Sequence, residues 1–265
     1  MSGGSGAWVL LAGADMAAAT GPDRQPGSAL PQVGSLLAVC AHPDDESFGL
    51  GAVLGAFADA GTRTSLLCFT RGEASTLRGV PGDLATIRAE ELTAAARILS
   101  VGHAELLDYP DGGLAAQPLP ELAAHVRRAA RAAGAGTLLV FDHGGVTGHP
   151  DHRRATQAAL AAADALDLPV LAWAIPDSVA AALNAAFGTG FLGRPARDLD
   201  ATIGVDRHRQ RTAVACHASQ ATDNPVLWRR LELLGDLEHL RWLRGRRHGA
   251  LHLGEGAVPP SSARG

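Results

Sequence analysis

The sequence predicts an α/β fold with a mainly parallel sheet and helices on both faces. Short apolar runs rich in Leu and Val alternate with longer stretches of helical periodicity, the pattern of repeated strand–helix–strand units. Several of the apolar runs are continuous, as strands buried on both faces require. The two most unusual polar segments each follow such a run directly, and in open sheets of this kind ligands sit beyond the carboxyl ends of the strands.

Residues 36–40 read as the first buried strand and residues 49–60 as the helix after it. Residues 64–69 form the next strand. Residues 83–99 are a long helix, with Asp83 as its cap and Arg88 and Glu91 on its polar side. A short strand at 105–107 precedes a helix over 119–133, which stops at Gly134, the residue type that closes helices most readily. Residues 137–141 are another buried strand, 151–166 a helix and 170–173 a strand. Two later helices are expected around 207–217 and 225–234. Residues 1–33, rich in Gly, Ala, Ser and Pro, predict a flexible extension, and 249–265 a flexible tail. Residues 34–248 are then one domain, which a chain of 265 residues accommodates.

Bulk properties exclude several classes. Hydrophobic residues make up 46%, enough for a sizeable core. A net charge of −4 and a pI of about 6.2 offer nucleic acid or an anionic membrane no bulk attraction. No apolar run reaches the length of a membrane span, so a cytoplasmic location is expected. All 23 basic residues are arginine, which excludes a lysine nucleophile or Schiff base. Cys40, Cys68 and Cys216 are far apart, without the spacing of a disulfide framework or a thiolate zinc cluster. Cys40 and Cys68 end apolar runs and read as small core residues.

The chemistry lies in the two polar segments. After the first strand comes Ala41-His42-Pro43-Asp44-Asp45-Glu46. Three consecutive carboxylates there are costly unless something cationic neutralises them. His42 and Asp45 can converge on one divalent ion within a turn stiffened by Pro43. After the strand ending at Phe141, His149 or His152 would supply a third ligand. Two imidazoles and a carboxylate suit zinc, with a fourth position left for water. A carboxylate outside the ligand set would take that water's proton, and Asp44 is the obvious candidate. A further imidazole would stabilise the oxyanion or protonate a leaving amine. This assembly matches amide hydrolysis.

The run from Ala41 to Glu46, with Gly148-His149-Pro150-Asp151-His152 about a hundred residues later, resembles the PIG-L/LmbE family of zinc-dependent N-deacetylases. That family includes N-acetylglucosaminyl-phosphatidylinositol deacetylase and the mycothiol and bacillithiol pathway deacetylases. The resemblance spans about residues 36–243 and includes Thr70-Arg71-Gly72-Glu73, Tyr109-Pro110-Asp111-Gly112 and His217-Ala218-Ser219-Gln220. It implies a Rossmann-like sandwich holding one zinc ion on His42, Asp45 and His152. It further implies Asp44 as general base, His149 as oxyanion stabiliser or acid, and Asp151 as the residue that orients His149. The implied substrate is a small N-acyl amino-sugar-like molecule, or alternatively a larger thiol conjugate or secondary-metabolite amide cleaved by the same site.

Other residues have weaker claims. Arg88 reads equally as a substrate contact and as a surface residue paired with Glu90 or Glu91. Asp111 reads equally as a hydroxyl acceptor and as a turn residue. Glu73 faces the pocket or caps a loop. His143 is expected in solvent, His217 in helix packing, and the arginine-rich stretch 241–247 on a solvated helix face or tail. Loops 75–82, 114–118 and 184–198 are expected to shape specificity. Two other classes compete. A two-metal phosphoesterase would draw on Asp44, Asp45, Asp142 and Asp151 and bind two ions per chain. A non-catalytic module would bind metal and hydrolyse no amide.

Overall fold

The computed structural model describes residues 28–77 and 82–245. Seven strands form one sheet. In chain order they are β1 (Ser35–Cys40), β2 (Arg63–Thr70), β3 (His103–Tyr109), β4 (Thr137–Phe141), β5 (Val170–Ala174), β6 (Ala201–Gly204) and β7 (Leu237–Arg244). Their spatial order is β3-β2-β1-β4-β5-β7-β6. The five strands from β3 to β5 are parallel, and β7 runs antiparallel to both β5 and β6. The chain winds outward from β1 through β2 to β3, then returns to lay β4 on the other side of β1. Connections therefore leave β1 and β4 in opposite directions, which opens a crevice at their carboxyl ends.

The helices are α1 (Asp45–Phe48), α2 (Gly51–Asp59), α3 (Leu84–Ile98), α4 (Leu119–Ala133), α5 (Pro150–Leu166), α6 (Asp177–Phe187), α7 (His208–Cys216), α8 (Ala218–Ala221) and α9 (Pro225–Leu234). Alternate residues of β1 feed two cores. Leu36, Ala38 and Cys40 pack with Val53 and Phe57 of α2 and Leu92 of α3. Leu37 and Val39 face Leu122 and Val126 of α4 and the alanine stripe Ala155, Ala159 and Ala162 of α5. The period-two alternation of β1 is thus hidden in its sequence because both faces are buried. Asp83 caps α3, its carboxylate accepting from the Thr86 amide at 3.2 Å.

Several elements depart from expectation. α6 and β6 were not foreseen. β6 has only four residues, too few for periodicity to register. The stretch from Arg241 to Arg244 is strand, not helix face or tail, and residues 246–247 lie outside the described residues. Its arginines are paired instead of solvated, Arg241 with Asp142 at 3.0 Å and Arg244 with Asp164 at 2.9 Å. Edge strand β3 is longer than expected, since its partly exposed residues dilute the apolar signal. In the segment read as an extension, the Ser28 amide donates to Thr202 of β6 at 2.6 Å, and Leu30 and Val33 pack on the core. The remainder of that segment and residues 249–265 lie outside the described residues. Among the described residues no helix is long and apolar enough to cross a membrane.

Candidate active site

The end of β1 delivers the first segment. The Asp45 carboxylate folds back over the turn and accepts from the amides of Ala41 and His42, both at 3.0 Å. Asp44 sits at φ 130°, a conformation costly for a residue with a side chain and found where surrounding structure enforces it. Two contacts do so. Its amide donates to Glu46 Oε2 at 3.0 Å, and its carboxylate accepts from Arg88 Nη2 at 2.9 Å. Arg88 and Glu91 are buried, not on an outward face of α3. Arg88 also donates to the carbonyls of Pro43 and Gly72. Gly72 has φ +67°, and a Cβ there would lie 2.1 Å from Arg88 Nη1. The pairing of Arg88 with Glu90 or Glu91 does not form; the guanidinium is spent on the turn after β1 and on Gly72.

The end of β4 delivers the second segment. His149 is the N-cap of α5, its Nδ1 accepting from the Asp151 amide at 3.2 Å, with Pro150 at the first helical position. His152 lies one turn on. Its Nδ1 meets the Gly145 carbonyl at 3.1 Å and the Thr147 hydroxyl at 2.9 Å. The ring proton therefore belongs on Nδ1, and Nε2 presents a lone pair. Asp151 corrects one expectation. Its carboxylate accepts from the amides of Gly112 and Leu114 at 2.8 and 3.1 Å and faces His42 Nε2 at 3.4 Å. It orients His42, because the loop after β3 draws the side chain away from His149.

His42, Asp45 and His152 converge. His42 Nδ1 lies 3.1 Å from His152 Nε2, and Asp45 Oδ1 lies 3.0 Å from the same nitrogen. On its other edge, His42 Nε2 faces Asp111 Oδ1 at 3.0 Å. That edge faces the two carboxylates Asp111 and Asp151. Without an ion, a proton on His42 Nδ1 lies toward the His152 Nε2 lone pair, beside the Asp45 carboxylate. A divalent cation would take that proton's place, and the nitrogen–oxygen donor set fits zinc-type chemistry. Ligand atoms of His42, His149 and His152 also lie within 4.8 Å of one another, as do those of His42, Asp111 and Asp151.

The electrostatics agree. Burial pulls the His42 imidazole's pKa down, but hydrogen bonding to Asp111 and Asp151 and the charges of Asp45 and Asp44 outweigh it and push the value up to about 10. The site draws positive charge. Burial raises the Asp44 carboxyl, Arg88 pulls it down and Asp45 pushes it back, leaving it at about 6. The pKa of His149, which also lines the cavity, is lowered by burial and by the nearby His42 and His152.

These groups line one end of a cavity of about 480 Å³ whose walls include Phe48, Leu77, Phe191, Leu227 and Arg230. Of the three expected specificity loops, the first contributes Ser75, Thr76 and Leu77 and the third contributes Phe191; loop 114–118 does not line the cavity. Asp111 is both turn residue and site residue, its carboxylate also accepting from the Ala74 amide at 3.0 Å. Glu73 caps that loop through the Asp111 amide at 2.9 Å. His143 is exposed.

Sequence reasoning missed Thr147 and the Gly145 carbonyl, and it gave no role to Glu46. Glu46 and His217 are both fully buried and joined at 2.6 Å. His217 is therefore more than helix packing, since it ties α7 and α8 to the turn after β1. The signal was available: Glu46 is a charged residue directly after a buried strand.

A family model described as PIG-L, GlcNAc-PI de-N-acetylase, matches residues 37–163. A relative from Nakamurella multipartita, named 1D-myo-inositol 2-acetamido-2-deoxy-alpha-D-glucopyranoside deacetylase, is 33% identical over 242 residues, covering 70% of this chain and 79% of its own. A relative of the same name from Kineococcus radiotolerans is 32% identical over 166 residues, 50% of this chain and 45% of its own. The chain spans about half the length of the first curated relatives it matches. Among solved structures, the zinc-inhibited form of teicoplanin deacetylase Orf2 superposes with a TM-score of 0.59 at 20% identity, covering 78% of this chain and 97% of that one. That likeness establishes the shared fold.

Proposed function

The chain belongs to the PIG-L family, and from that premise we propose that it is a zinc-dependent hydrolase that removes an acetyl group from the nitrogen of a small amino-sugar-like substrate. The observation that carries the reading is the convergence of His42 Nδ1, His152 Nε2 and Asp45 on one small space, with the Asp44 carboxylate and the His149 imidazole lining the same cavity. His42, Asp45 and His152 would hold one zinc ion. When bound, that ion would supply Lewis acidity toward an amide carbonyl and toward water.

The chain's own groups perform the rest. Asp44, fixed by Arg88 and by the Glu46 contact to its amide, accepts a proton from the attacking water. His149, whose Nε2–H is its donor while Nδ1 accepts from the Asp151 amide, stabilises the oxyanion as the carbonyl carbon becomes tetrahedral, and the proton taken up by Asp44 passes to the departing nitrogen. Asp111 and Asp151 hold the tautomer of His42. The balance is one amide and one water consumed, one amine and one acetate formed. The names of the relatives support a 2-acetamido-2-deoxy sugar as substrate.

The test is amine release from a panel of N-acetyl-glucosaminides, alongside metal analysis of the purified protein. About one zinc per chain and release abolished by chelator is the expected result. Two metals per chain would favour the phosphoesterase reading, and metal without amine release from any amide the non-catalytic one.

A further inference from the structure

Among the described residues three arginines are buried, and they differ in whether a carboxylate meets them. Arg88 meets Asp44 and two carbonyls, although its Nε lacks an acceptor. Arg207 is completed by Glu238 and Gln210, each at 2.6 Å, and by backbone carbonyls. Arg230, on α9 and only 5% exposed, is not completed. Its Nη2 donates to the Phe48 carbonyl at 2.6 Å. Its Nε is buried without an acceptor, and among the described residues no group accepts from Nη1 and no carboxylate pairs with it. A buried guanidinium lacking an anion is unfavourable by several kcal/mol. Burial pulls its pKa down, against the charges of Glu238, Asp45 and Asp44, to about 10, so the group remains a cation at neutral pH.

Its position shows where the missing anion belongs. Arg230 forms part of the wall of the same cavity that holds the His42–Asp45–His152 cluster. The guanidinium lies 5.2 Å from the Trp173 ring, which lies 4.9 Å from Phe141, which lies 4.8 Å from His152. Cation and cluster thus border one cavity and are linked behind its lining by three successive ring contacts. Phe48, Phe141 and Leu227, which also line the cavity, are apolar, which strengthens any charge pairing made there.

We infer that Arg230 is a substrate anchor that binds a carboxylate carried by the same molecule whose acetamide meets the His42–Asp45–His152 cluster. A lone guanidinium with unused donors suits one planar, singly charged group. This inference rests on the deacetylase reading and adds a charge to its substrate. The anchor is remote from the reacting atoms, so it acts through uniform binding and appears in KM.

The test compares two synthetic glycosides of N-acetylglucosamine that differ only in the aglycone, 2-carboxyethyl against propyl, in the zinc-loaded full chain. The readout is the ratio of their kcat/KM values within each protein. The wild type favours the carboxylate by about 10- to 100-fold, the range of a charge-assisted hydrogen bond, chiefly through KM. Arg230→Met brings the ratio close to one, whatever its absolute rates. Arg230→Lys keeps the charge in the same volume and retains a several-fold preference, which keeps the test alive if the methionine variant does not fold. A ratio near one in the wild type, or a full preference surviving in Arg230→Met, overturns the inference. If neither glycoside releases amine, the deacetylase reading fails and calorimetric binding of the same pair decides about Arg230. Tighter binding of the carboxylate that is lost in Arg230→Met upholds the anchor, and equal binding removes it.

Discussion

Replacing His217 with alanine strikes the contact that joins the C-terminal helices to the catalytic turn. Glu46 and His217 are both 0% exposed and meet at 2.6 Å. Without the imidazole, Glu46 keeps only the Ser47 hydroxyl at 2.6 Å and the Asp44 amide at 3.0 Å, with no cation paired to it. Breaking a buried ion pair by removing one partner costs about 3–5 kcal/mol. For a domain of this size that lowers the Tm by about 6–20 °C. The sign of the pH dependence follows from the histidine. Burial lowers its pKa, but the charge and hydrogen bond of Glu46 outweigh burial and raise it above 6.5. The stabilisation is therefore fully present below the unfolded value of 6.5 and fades as the pH climbs through the folded value. Urea unfolding of wild type and variant from about pH 5.5 to about pH 9 reads both effects. The deficit should be largest at the acid end and narrow toward the alkaline end. His217→Gln, which retains a donor, should lose less, and combining it with Glu46→Gln should recover part of the loss. A deficit below about 1 kcal/mol, or one that widens with rising pH, would refute the buried pair as a structural tie.

Asp44→Asn should keep its metal, because Asp44 is not in the proposed ligand set, while kcat falls by about 10²- to 10⁴-fold; loss of the metal in elemental analysis would reverse the roles of Asp44 and Asp45. His152→Ala should weaken zinc binding in a competitive chelator titration, and Thr147→Val, which removes a partner of His152 Nδ1, should weaken it by about 10- to 100-fold. Gly72→Ala places a methyl 2.1 Å from Arg88 Nη1 at a backbone φ of +67°. The arginine must move, so both stability and kcat should drop, and unchanged kcat would show that Arg88 does not position Asp44.

The central strands were legible because burial on both faces made them continuous apolar runs bounded by polar breaks, as at β1 and β4. The site was legible because carboxylates and histidines directly after such strands have few structural reasons to be there. What escaped detection depends on contacts distant in sequence. Asp151 was expected beside His149, its neighbour in the chain, yet its side chain is captured by amides 37 and 39 residues away. Arg88 read equally as a substrate contact and as a helix-surface residue, and only the close approach of Gly72 and Pro43 reveals that it points inward. Arg230 stands three residues after Leu227 and four before Leu234, on the buried face of α9. Helical periodicity marks that face, but an arginine there is easily taken for the polar one.

The charge around the cluster explains why these residues hold together. Asp44, Asp45, Glu46, Asp111 and Asp151 crowd the end of β1, against the fixed cations Arg88 and His217. Each cation is committed to one carboxylate, Arg88 to Asp44 and His217 to Glu46. The three remaining carboxylates all face His42 or His152 and no arginine. A low-dielectric crevice does not tolerate that excess without positive charge. The pairing therefore divides the turn into two halves. One half, Asp44 and Glu46, is paired with cations of the protein. The other half, Asp45 with Asp111 and Asp151 behind His42, is left for the ion to neutralise. On the proposed reading, Asp44 would act as a base beside a metal ligand without becoming one, because Arg88 holds its Oδ2 at 2.9 Å.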